Sequence, residues 1–130
     1  MQVEVPLGDI VDKVTILEIK RRKLDRPESV ANVERELSEL RNRWSNAGYP
    51  EFKTLPQWHS LRQVNEALWN VEDDLRAMEH QKRFDEDFIA KARSVYRLND
   101  ERAALKRQIN ISLGSTLVEE KSYHTGSAEH

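Results

Sequence analysis

The chain has 130 residues, and its 21 Lys+Arg against 23 Asp+Glu give a net charge of -2. This length favours one domain, because two cores would leave each half small, and the near-neutral charge argues against a nucleic-acid partner. The absence of cysteine excludes disulfides, thiolate catalysis and cysteine-based metal sites. No apolar stretch reaches membrane-spanning length and the N-terminus does not resemble a signal peptide, so we expect no membrane span and a cytoplasmic location.

The first half of the chain predicts two amphipathic helices. Helix 1 is expected over residues 7–24, where apolar side chains recur at spacings of three and four, and Ile16 and Ile19 add a second apolar side. We therefore expect helix 1 to be the most enclosed. Helix 2 is expected over residues 26–46, with a clean apolar stripe that ends before Gly48.

The second half predicts two longer helices, after a break at residues 47–57 that contains two prolines. Helix 3 is expected over residues 56–80 and helix 4 over residues 84–113, with Gly114 as its C-cap. Residues 1–114 would form the bundle domain. Residues 115–130 form a polar tail, in which Leu117, Val118 and Tyr123 are expected to dock while the last residues stay disordered.

Together these patterns predict an all-α fold, an antiparallel up-down four-helix bundle with coiled-coil-like packing. Helices 3 and 4 are longer than helices 1 and 2, so their hairpin should overhang and leave apolar surface for a partner. Trp69 also lies off the apolar stripe of helix 3. These two features predict a homodimer.

Polar residues interrupt the apolar arcs of helices 1 and 4 and mark a candidate ligand-binding site. The arcs contain Glu18 and Arg102, and an unpaired charge buried there would cost several kcal/mol. The simplest interpretation is a structural Glu18–Arg102 ion pair between antiparallel neighbours. The alternative is a pocket for a small carboxylate or phosphate, since arginine binds anions through a planar fork. The candidate residues are Lys13, Glu18, Arg21, Asn99, Arg102 and Lys106.

Other chemistries have little support in the sequence. The four histidines show no metal-ligand spacing, and nucleotide-binding loops and nucleophile elbows are absent, so no metal, no cofactor and no catalytic residue is assigned. Residues 10–22 are loosely similar to the first helix of the all-helical chorismate mutase. That enzyme's other arginines and its acidic motif have no counterpart in helices 2 and 3.

Two stretches, Gly8-Asp-Ile-Val-Asp-Lys-Val-Thr-Ile-Leu-Glu-Ile-Lys20 and residues 94–110, together with Glu119-Glu-Lys-Ser-Tyr123, resemble a family of short bacterial and phage proteins of unknown function. The resemblance covers residues 3–123. It implies an all-helical fold, a bacterial origin, no assigned activity and a link to cell-surface polysaccharide synthesis. We expect a small binding or adaptor protein; the alternative is an enzyme or sensor that binds an anion between helices 1 and 4.

Overall fold

The computed structural model describes residues 5–125, with side chains described for residues 5–114, and it contains four α-helices and no strand in that part of the chain. The helices are α1 (Leu7–Lys23), α2 (Pro27–Asn46), α3 (Trp58–His80) and α4 (Glu86–Thr125), and a 3₁₀ turn lies at Phe52–Thr54. The predicted all-α bundle is confirmed. Among the described helices, none carries an apolar stretch that could cross a membrane.

Helix α1 is the centre of the bundle, because it packs against α2, α3 and α4, whereas α2 packs mainly on α1. Its partners on α4 recede from Asn110 to Arg102 as α1 advances from Gly8 to Asp12, so α1 and α4 run in opposite directions. The main core lies between α1, α2, the 3₁₀ turn and the near ends of α3 and α4. Its buried side chains are Val11, Val14, Leu17, Val33, Leu37, Trp44, Phe52, Leu55, Trp58, Leu61, Ile109 and Leu113.

The C-terminal end of α4 corrects one expectation. Gly114 does not end the helix, which continues to Thr125. A C-cap glycine takes a left-handed conformation, as Gly48 does after α2 with φ of 86°, and Gly114 has no positive φ. The predicted docking of Leu117, Val118 and Tyr123 lies outside the described side chains, and residues 126–130 lie outside the described residues altogether.

Gly8 marks the closest approach of α1 to α4. A Cβ atom at this position would clash with the backbone carbonyl oxygen of Lys106 and touch Oδ1 of Asn110. The Gly8 amide donates a 2.6 Å hydrogen bond to that same Oδ1. An N–H group of the first turn of α1 has no partner within its own helix, and here a side chain of α4 accepts its hydrogen bond.

We predict that Gly8→Ala lowers the free energy of unfolding by about 1–3 kcal/mol, the cost of overpacking a tight contact. Gly114→Ala is the matched control, because its Cβ would meet no atom within 4 Å. In a helix interior this change should be neutral or stabilise by up to about 1 kcal/mol. Urea unfolding of both variants measures the difference, and equal stabilities would contradict the close approach.

Candidate functional site

The second buried face of α1 is polar at its centre. Gly8, Asp12, Thr15 and Ile19 follow one another at spacings of four, three and four, and all four are buried. Asp12 is only 5% exposed, so its carboxylate lies inside the bundle and faces α3 and α4. Burying a carboxylate in such a position is costly unless hydrogen bonds and a countercharge satisfy it.

Arg102 on α4 supplies the countercharge to Asp12. Its Nε lies 2.9 Å from Oδ1 of Asp12 and its Nη2 lies 2.6 Å from Oδ2, so the two groups form a bidentate pair. The two hydrogen bonds raise the pKa of Arg102 above its ordinary value, which keeps the guanidinium charged. The Arg102 side chain is 30% exposed, so one edge of the pair reaches solvent.

Asn65 on α3 completes the network on the buried side. Its Nδ2 donates to Oδ1 of Asp12 at 2.9 Å and to Oγ1 of Thr15 at 2.7 Å. The Thr15 hydroxyl in turn donates to the backbone oxygen of Asp12. No buried side-chain nitrogen or oxygen in the described part of the chain lacks a partner, so the network is closed.

Lys106, one turn after Arg102, extends the network to the surface. Its Nζ lies 3.0 Å from Oδ1 of Asp9 and 4.0 Å from Oδ2 of Asp12. It borders a groove of about 430 Å³ that also contains Lys13, Lys20 and Glu36. Three lysines and three carboxylates line this groove, so it carries no excess positive charge.

The predicted Glu18–Arg102 pair is wrong. Arg102 pairs with Asp12, and Glu18 accepts a 2.6 Å hydrogen bond from Nη2 of Arg41 on α2. Glu18 lies six residues after Asp12, which turns it about 120° around the helix and places it about 9 Å further along the axis. The two carboxylates therefore serve different neighbours of α1.

The other candidate residues of α1 also face α2. Lys13 pairs with Glu36 at 2.8 Å, and Nε of Arg21 lies 3.8 Å from Glu34. Asn99 is exposed on α4. Of the six candidates, only Arg102 and Lys106 contact the Asp12 network, and Lys13 lies across the groove from Lys106.

Glu18 and Arg21 lie instead in a second groove of about 660 Å³, which we call the arginine groove. Its charged lining consists of Glu18, Arg21, Arg41, Glu51, Lys53 and Arg62. The side chains come from α1, α2, α3 and the 3₁₀ turn, which meet at this end of the bundle.

Sequence reasoning missed Asp12, Thr15, Asn65 and Asp9, and it placed Asn110 only at the border of the apolar arc of helix 4. A signal was present, since Asp12 and Thr15 share one face of helix 1 with Ile19, and Asn65 is flanked by Leu61 and Leu68. Within the described residues no group of three or more His, Asp or Glu side chains could hold a metal ion.

We predict a strong energetic coupling between Asp12 and Arg102. Arg102→Met alone strands a buried carboxylate and should cost about 3 kcal/mol. Asp12→Leu alone should cost a similar amount, while the double variant should lose much less than the sum of the two. Denaturant unfolding of all four proteins gives the coupling energy.

The matched control is the cycle made with Lys13→Met and Glu36→Leu. The two side chains of this pair are about half exposed, so their coupling should stay below about 1 kcal/mol. An Asp12–Arg102 coupling energy no larger than this would contradict the prediction that the buried pair is strongly coupled.

Comparison with known proteins identifies the family to which the chain belongs. No curated protein and no solved structure matches the sequence. A family model, described as a family of unknown function (DUF6165), matches residues 1–129. The match includes the residues of α1 that face α3 and α4, those that face α2, and every charged residue of the arginine groove. The chain therefore belongs to the DUF6165 family.

Proposed function

We propose that this protein is a homodimeric, non-catalytic binding or adaptor protein of the bacterial cytoplasm. The observation that carries the proposal is the lack of buried residues over most of the α3–α4 hairpin. From Glu79 to Gln108 no side chain is buried, whereas α1 alone has seven buried residues. A helix pair that encloses so little of its own apolar surface favours association with a partner.

The outer face of α4 offers the surface for that association. Ile89 is 53% exposed and Tyr96, two turns later, is 75% exposed. Arg93 and Arg97 flank Tyr96 beside a shallow groove. Trp69, which the sequence suggested as a second contact, is half-buried on α3.

A second copy of the chain is the partner that fits this face. If two α4 helices pack antiparallel with Ile89 of one opposite Tyr96 of the other, the contact repeats by symmetry. This self-complementary register favours a second copy over an unrelated protein.

The non-catalytic part of the proposal is supported by the closed network around Asp12. The Asp12 carboxylate, the Asn65 amide and two nitrogens of the Arg102 guanidinium are hydrogen-bonded to one another, which is the arrangement of a structural network. The alternative of a small-anion enzyme or sensor between α1 and α4 has less support, because Asp12 and Asp9 neutralise Arg102 and Lys106. The link to polysaccharide synthesis stays a prediction that rests on the family resemblance.

We predict a dimer mass in light scattering at about ten to a hundred micromolar, the range in which a contact of modest size associates. Tyr96→Asp should shift the protein to the monomer without loss of helix content, because it places a charge in the contact while the side chain makes little contact within its own chain.

Ile111→Asp is the matched control. Ile111 is 66% exposed on the same helix, yet in the proposed register it lies beyond the reach of the second α4. It should therefore leave the dimer intact. A wild-type monomer, or equal effects of the two changes, would contradict the proposed interface.

A further inference from the structure

The arginine groove differs from the groove beside Lys106 in its charge. Four cations and two carboxylates line it, so its formal charge is +2. Arg21, Arg41 and Arg62 belong to three different helices, and Lys53 belongs to the 3₁₀ turn. Cations that converge from separate elements on one concave surface repel one another, and an anionic ligand relieves that repulsion.

Two of the four cations have no hydrogen-bonded or ion-paired partner in the described chain that a ligand would have to displace. Lys53 and Arg62 form neither a side-chain hydrogen bond nor an ion pair within 4 Å among the described residues. Arg62 is close enough to Glu66 for its charge to help lower the pKa of that carboxyl. Arg41 is held by Glu18, whose side chain is only 10% exposed, and this contact uses Nη2 of the guanidinium. Its remaining N–H groups stay available to a ligand.

The aromatic wall of the groove is rigid. Tyr49, Trp44, Phe52 and Trp58 stack in a row with ring centroids 4.7, 4.6 and 5.7 Å apart. The Trp44 indole donates a 2.6 Å hydrogen bond to the backbone oxygen of Pro50, which fixes the segment after α2 on the bundle. Lys53 is therefore carried by an ordered turn, and the site is preformed.

We propose that the arginine groove binds a nucleoside diphosphate. The arginines match phosphate oxygens, which accept paired hydrogen bonds from a guanidinium. The volume of about 660 Å³ exceeds what a single phosphate fills and lies in the range of small-molecule sites. The half-buried ring of Tyr49 offers a flat surface for a base beside the cations. This site is separate from the α4 face, so it goes beyond the proposed association.

Titration calorimetry with ADP, inorganic phosphate and adenosine tests the proposal. ADP should bind and raise the melting temperature of the full chain in proportion to its concentration. Inorganic phosphate should bind more weakly than ADP, because it lacks the base that would lie against Tyr49. Adenosine should bind more weakly still, because it lacks the phosphates that the arginines would bind. Higher salt should weaken ADP binding, as expected for a screened ionic contact.

Arg62→Gln should lower the affinity for ADP by about tenfold or more, because it removes a charged donor. Its fold should be unchanged, since Arg62 makes no hydrogen bond within the described chain. Arg35→Gln is the matched control, an exposed arginine of α2 outside the groove with the same change in charge. No response of the wild type to ADP would overturn the proposal. So would equal affinities of the two variants, or inorganic phosphate binding as tightly as ADP.

Discussion

A single carboxylate inside the bundle, that of Asp12, connects three of its helices through hydrogen bonds. It is buried on α1, and Arg102 of α4 and Asn65 of α3 donate hydrogen bonds to it. A shift of either helix by one turn, about 5.4 Å, would break these contacts and strand the charge. Well-packed apolar residues could stabilise the same contact equally well. The network therefore acts chiefly on the register of the helices.

The close approach at Gly8 depends on the same register. Gly8 lies one turn before Asp12 on α1, and Lys106 lies one turn after Arg102 on α4. The backbones can come together there only because Gly8 has no side chain. The short distance brings the Asn110 side chain to the first turn of α1 and lets Lys106 reach Asp9. One packing contact thus positions both the buried and the exposed parts of the polar network.

The helices and their apolar stripes could be predicted from periodicity, but the pairing of charges could not. Arg102 stood out because it interrupts an apolar arc, and Lys106 because it borders that arc. Their partner depends on the rotation of α1 about its axis, and Asp12 and Glu18 differ by about 120° in that rotation. The sequence shows both carboxylates and does not say which faces α4. The end of α4 could not be predicted from Gly114 for a similar reason, because glycine permits a C-cap conformation without requiring one.

Because the helices differ in length, the two grooves and the exposed outer face of α4 lie in different parts of the molecule. Helix α1 has 17 residues and α4 has 40, about 25 and 60 Å, so α1 can cover less than half of α4. The covered half holds the polar network, and the end of the bundle near the 3₁₀ turn holds the arginine groove. No residue between Glu79 and Glu101 lines either the arginine groove or the groove beside Lys106. Association through the outer face of α4 would therefore leave both grooves open in each copy, and a ligand in the arginine groove would not have to displace the second chain.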